Sequence, residues 1–166
     1  MERLFSPWRS QYIETFSKAK AEKDSCILCD AILDSDDKRL IITRAKFCYV
    51  IMNLYPYNSG HVMVVPYRHI SSINDLTDEE SLELMSLIKK TILSLQNTSH
   101  PEGFNVGSNI GRAAGAGIDQ HIHFHVVPRW TGDTNFMPVL NNTKIISEDM
   151  KDTWQKLRLF LEKSDL

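Results

Sequence analysis

With 166 residues, 42% of them hydrophobic, the chain is long enough to bury a proper core without covalent staples and reads as one domain. A net charge of −2 leaves no polybasic footprint, which argues against a nucleic-acid polymer as partner. No apolar run approaches a membrane span and the charged start Met1-Glu2-Arg3 lacks a signal-peptide core, so no membrane association and a cytoplasmic location are expected. Three cysteines, two of them close-spaced, point to a metal clip plus a free thiol rather than a disulfide framework.

In chain order, Trp8, Tyr12 or Ile13, and Phe16 follow Pro7 at roughly helical spacing and predict an arm or short helix over 1–22. Cys26-Ile27-Leu28-Cys29 stands at the mouth of a second short helix. Its spacing suits two thiolates on one tetrahedral zinc, with histidines from elsewhere completing the site, and redox use is the rival reading. Two strands follow, Leu40 to Thr43 and Phe47 to Met52. The second is apolar on both alternating faces, so it is expected to be central and covered on both sides, with Cys48 a buried, inert thiol. Asn53 to Gly60 reads as a polar loop, and His61 to Val65 resumes the sheet with His61 at the strand entry.

Thr77-Asp78-Glu79-Glu80 is a capping box, and Leu84, Leu87, Ile88, Ile92 and Leu95 mark one face of a long helix to about Gln96. A turn at His100 to Gly103 leads into a strand from Phe104 to Asn109. The small-residue loop Gly111 to Gly117 comes next, with backbone amides able to cradle phosphate oxygens. Ser108 and Asn109 end beside it. A final helix, 147–163, presents Met150, Trp154, Leu157 and Leu161 as a docking face.

Three of the six histidines stand together in His121-Ile122-His123-Phe124-His125-Val126-Val127-Pro128. On a strand, alternate side chains share a face, so the three imidazoles point one way while Ile122, Phe124 and Val126 anchor the other face, and Pro128 is expected to stop the ladder. Three readings fit the row: a hydrogen-bonded polar face, a set of metal ligands, or a nucleophilic His123 flanked by helpers. The adjacent glycine loop tilts the balance toward phosphate chemistry.

The same residues resemble the motif of the histidine triad family, and the likeness extends from Asn53 to His69 and from Pro128 to Pro138. Within that family it is similar to the bacterial branch of diadenosine tetraphosphate phosphorylases and hydrolases. The resemblance implies an α+β, HIT-like fold with a mainly antiparallel five-stranded sheet, one long helix and a C-terminal helix, all in a single domain over 1–166, and a homodimer. It implies a nucleotidyl hydrolase or transferase acting at the α-phosphate of a nucleoside polyphosphate through a nucleotidyl-histidine intermediate. His123 is the implied nucleophile, His125 its helper at the phosphate and His61 an orienting residue. Asn53 falls at the ribose-binding position, while Asn109, Gly115, Gly117 and His125 fall around the phosphates. Arg112 or Arg129 is expected to offset developing charge. Structural zinc on Cys26, Cys29, His69 and His121 is implied, and magnesium can accompany the substrate's phosphates.

The chain departs from the eukaryotic branches at Gly117 and Ile118, where those carry polar residues, so backbone amides or Gln120 are expected to substitute. The second-step acceptor, water, phosphate or another group, stays open. Alternative readings are a nucleoside phosphoramidate hydrolase and a nucleotide- and zinc-binding protein with little turnover.

Overall fold

A computed structural model describes residues 26–135, 146 and 148–163; the expected arm over 1–22 lies outside them. Two short helices, α1 (Ile27–Ala31) and α2 (Asp36–Arg39), precede strands β1 (Ile41–Arg44), β2 (Cys48–Met52) and β3 (Val62–Pro66). The long helix α3 (Asp78–Ser99) follows, then β4 (Gly103–Gly107), β5 (Phe124–Arg129) and α4 (Met150–Lys163). All ladders are antiparallel and the strand order is β1-β2-β3-β5-β4, the α+β architecture expected.

The sheet is covered on both faces. Val50, Met52, Val62, Val64 and Val126 meet Leu84, Leu87, Ile88 and Leu95 of α3 and Leu157 of α4. On the opposite face Ile51, Met63 and Val65 pack against Leu28 and Ala31 of α1. Every residue of β2 is buried, Cys48 included, and burial pushes its thiol up to about 12, as a central strand with an inert cysteine requires. The Tyr49 hydroxyl donates to the Leu28 carbonyl at 2.7 Å and so seats α1 beneath the sheet.

The capping box forms as the spacing predicts: the Thr77 hydroxyl accepts from the Glu80 amide while the Glu80 carboxylate accepts from the Thr77 amide. The helix runs to Ser99, past Gln96, and closes on His100 in the left-handed conformation. One turn further along, Glu83 accepts from the backbone amides of Lys46, Phe47 and Cys48 at 3.1, 2.5 and 2.7 Å. A single carboxylate thereby ties α3 to the β1–β2 turn.

Two expectations for the triad strand need correction. The ladder starts at Phe124, and Pro128 does not stop it, because β5 continues to Arg129 with Phe104 opposite Pro128 and Gly103 opposite Arg129. The reason is positional. Pairing with β3 ends at Val62 opposite Val126, so Pro128 lies beyond the three-strand region and has β4 as its only strand neighbour among the described residues.

Replacing Glu83 with Ala leaves three amides without their acceptor and should lower unfolding stability by about 1–3 kcal/mol in a urea titration. An unchanged midpoint would show that water satisfies those amides equally well.

Candidate functional site

Gly60 has φ of 73°, and a side chain there would meet Leu95 at 3.1 Å and Pro128 at 3.2 Å. The tight passage delivers His61, fully buried, to the start of β3, while the register of Met63 opposite His125 sets the second imidazole beside it. The two rings meet at 2.9 Å through His61 Nε2 and His125 Nδ1. Proton placement follows from one unambiguous donor: the Tyr57 backbone N–H points at His61 Nδ1 from 3.0 Å. Nδ1 is therefore an acceptor, and a neutral His61 carries its proton on Nε2 and donates it to His125 Nδ1. That leaves a neutral His125 with its own N–H on Nε2. Asn53 Nδ2, 3.3–3.4 Å from both His61 nitrogens, is then a packing contact, and its Oδ1 accepts from the Tyr55 amide at 2.9 Å.

His123 has the complementary state. Its Nδ1 donates to the His121 carbonyl at 2.8 Å, which leaves the Nε2 lone pair available. Burial holds His123 below its ordinary range more strongly than that carbonyl raises it. His61 is pushed down to about 3, first by burial and then by repulsion from His125 and His123. His61 and His123 are thus neutral, oriented imidazoles.

His123 and His125 line a cleft of about 350 Å³ together with Ile27, Leu28, Ala31, Ile51 and Met63. Asn53, Asn109, Gly115 and Gly117 line it too, as does Ile118. The Asn109 side chain has no hydrogen-bond partner among the described residues, so its amide is available to a ligand. The glycine cradle is smaller than expected. Gly115 and Ala116 spend their amides inside the turn, on Arg112 and Gly111 carbonyls at 2.9 and 3.3 Å, and the Gly117 N–H has no backbone partner among the described residues. Neither arginine helps: Arg112 pairs with Asp119 at 2.6 Å and Arg129 with Asp133 at 2.6 Å, and neither lines the cleft. Gln120 is exposed and outside it.

His121 turns to a different task. Cys26, Cys29, His69 and His121 bring four donor atoms within 4.8 Å of one another. The sulfur–nitrogen separations are 3.3 Å for Cys26–His121, 3.4 Å for Cys29–His69 and 3.4 Å for Cys29–His121. Zinc bonds of about 2.0–2.3 Å put tetrahedral donor atoms roughly 3.3–3.8 Å apart, so these four residues fit a zinc ion. The far nitrogen of His121 meets the Pro66 carbonyl at 2.9 Å, which assigns its proton to Nε2 and offers Nδ1 to a metal. Burial also keeps His121 neutral. Desolvation and the neighbouring Cys26 push the Cys29 thiol up to about 11, a cost that a cation between the sulfurs removes.

Sequence reasoning missed Tyr57, whose amide sets the His61 tautomer, and the apolar wall of Leu28, Ala31, Ile51 and Met63. The available signal was Leu54-Tyr55-Pro56-Tyr57, an apolar run in a loop read as polar.

The HIT domain family matches residues 35–132. AP-4-A phosphorylase of Mycobacterium tuberculosis is 42% identical over 157 residues, covering 92% of this chain and 80% of the relative. Adenosine 5'-monophosphoramidase hnt1 of Schizosaccharomyces pombe is 30% identical over 63% of this chain and 74% of its own length. Among solved structures, a zinc-bound histidine triad family protein from Mycobacterium smegmatis superposes with a TM-score of 0.68 at 25% identity, covering 85% of this chain and 96% of that one. By sequence and by fold, the chain belongs to the HIT-domain family.

Proposed function

We propose that this HIT enzyme transfers a nucleotidyl group from the α-phosphate of a nucleoside polyphosphate, by way of His123. The observation that carries the reading is a neutral His123 with its Nε2 lone pair unused, its ring against that of His125, in the lining of a nucleotide-sized cleft. Nε2 attacks the α-phosphorus, the bond from phosphorus to the leaving phosphate oxygen breaks, and the electron pair departs with the polyphosphate. A polyphosphate is a stable anion and leaves without a proton. His125, its Nδ1 accepting from His61, therefore serves as a hydrogen-bond donor to phosphate oxygen rather than as an acid. The His121 carbonyl stabilises the positive charge left on the phosphorylated ring. In the second step an oxygen nucleophile attacks phosphorus and the N–P electrons return to Nε2. Asn53 binds the ribose, and Asn109 and Gly117 donate to the phosphates.

The 42% identity to AP-4-A phosphorylase supports inorganic phosphate as that nucleophile. Hydrolysis of nucleoside phosphoramidates is the second reading, supported by the fission-yeast relative. Incubating the protein with diadenosine tetraphosphate should yield ADP and ATP only when phosphate is present. AMP and ATP in its absence would mean a hydrolase. His123→Ala should lose about 10³-fold or more in turnover, and a fully active variant would remove His123 as nucleophile.

We further assign the whole chain as one domain, in which α4 packs on α3 and β1. Zinc is assigned to the Cys26, Cys29, His69, His121 cluster, where it supplies a structural brace. Reduced thiols at that cluster fit a cytoplasmic location, and no described helix is long and apolar enough to cross a membrane. No carboxylate lines the cleft among the described residues, so magnesium enters only with the substrate's phosphates. The homodimer reading rests on β4, an edge strand with Val106 exposed and Ile110, just beyond it, exposed as well.

Purified protein should contain about one zinc per chain, and chelation should lower its melting temperature. Cys29→Ser with undiminished zinc content would overturn the ligand set. Sedimentation should give twice the chain mass, whereas a monomer at micromolar concentration would dismiss the β4 pairing.

A further inference from the structure

One turn of chain serves the metal cluster and the cleft at once. Cys26 caps α1 and Cys29 stands three residues on, a spacing that makes their side chains neighbours on a helix, and the two residues between them, Ile27 and Leu28, line the cleft. Both sulfurs face His121 Nδ1, at 3.3 and 3.4 Å, and the His121 carbonyl holds the His123 proton. A helix of five residues has no stability of its own and depends on what fastens it. The fastenings of α1 are these sulfurs, the Tyr49 hydroxyl on the Leu28 carbonyl, the packing of Leu28 and Ala31 under the sheet, and Arg44 on the Ile32 carbonyl just past its end.

The thiol pair is also open to chemistry. Cys26 and Cys29 are free and half-buried, and His69, 3.4 Å from Cys29, is exposed, whereas Cys48 is buried in the sheet. Metal binding holds both sulfurs as thiolates, the form that peroxides oxidise. The four donor atoms lie within 4.8 Å of one another, so the two sulfurs have only to close to about 2.0 Å to bond to each other.

We propose that Cys26 and Cys29 form a peroxide-sensitive latch on the nucleotide cleft: joined as a disulfide they release the metal, and α1 loses its link to the His121 segment. The assignment rests on the proposed function, in that it needs the metal at the cluster and a nucleotide in the cleft. The Cys29 thiolate attacks one oxygen of hydrogen peroxide, the O–O bond breaks, and a sulfenic acid and hydroxide form. The Cys26 thiolate then attacks that sulfur, the S–S bond forms, and the S–O bond breaks to release a second hydroxide. Two electrons have passed from the sulfurs to the peroxide. His69 and His121 are left as two donors of the original four, too few to hold the ion. Coupling between sites is reciprocal, so a nucleotide packed on Ile27 and Leu28 tightens the hold on the metal by the factor that the metal tightens the nucleotide.

The test treats zinc-loaded, reduced protein with a small molar excess of hydrogen peroxide and follows three quantities: the Cys26–Cys29 disulfide by peptide mass spectrometry, zinc release to a colorimetric chelator, and Kd for AMP by calorimetry. Disulfide and free zinc should appear together while Kd for AMP rises by about 5- to 150-fold, the usual span of coupling between two sites. Saturating AMP should raise zinc affinity by the same factor in a chelator competition. Dithiothreitol and zinc should restore the original Kd, which separates the latch from oxidation of Met63 in the cleft, a change that a simple thiol does not reverse. Thiols that stay reduced with zinc in place, a Kd unmoved by zinc loss, or a Kd that does not recover each overturn the latch and leave the proposed function standing. Reduced, zinc-loaded protein that binds no AMP overturns the proposed function, protein that takes up no zinc overturns the metal assignment, and the latch falls with either.

Discussion

The hydrogen bond from His61 to His125 is the contact on which the rest of the site depends. It exists because three independent features coincide: the glycine passage at Gly60, the β3–β5 register at Met63 opposite His125, and the Tyr57 amide that claims the other His61 nitrogen. Burial then makes the neutral form of His61 the stable one, so the proton on its Nε2 has one place to point. Orientation passes from a backbone amide through two rings to an N–H facing the cleft. No charged side chain is needed, which is consistent with both candidate arginines being tied to aspartates elsewhere.

His121 joins two chemistries in a single residue. Its ring faces the cysteines, its carbonyl holds the His123 proton, and the amide of the next residue, Ile122, donates to the Ile70 carbonyl at 2.7 Å. A metal at the cluster would brace the residue whose carbonyl orients His123, apart from the reacting phosphorus of the proposed mechanism. The segment carrying His121 and His123 lies outside the sheet ladder, so side-chain and single backbone contacts do there what strand pairing does for His125.

Much of the fold was legible because it is written in short-range periodicity. The capping box at Thr77, the apolar face of the long helix and the doubly apolar strand around Val50 each state a local preference that the tertiary structure also needs. The errors lie where a local rule met a non-local circumstance. Pro128 should end a ladder, yet β3 pairing had already ended at Val126. The loop after Asn53 reads as polar from Asn53, Asn58 and Ser59, and only the tertiary structure shows Asn58 fastened to Pro128 and Asp133 and the Tyr57 ring packed 4.6 Å from His61.

The same division runs through the site. Residue types and spacing alone set out a histidine row backed by an apolar anchor face, a pair of thiols spaced for one metal, and a glycine loop. Those patterns name the available chemistry, because imidazole and thiolate reactivity belong to the side chains themselves. Which nitrogen carries a proton, which amides the turn at Gly115 consumes, and how close the His69 and His121 nitrogens come to the two sulfurs were decided by the tertiary structure. Each of these depends on the direction of a donor or acceptor, from the Tyr57 amide four residues before His61 to the His121 ring 92 residues after Cys29, and directions exist only once the chain has closed on itself.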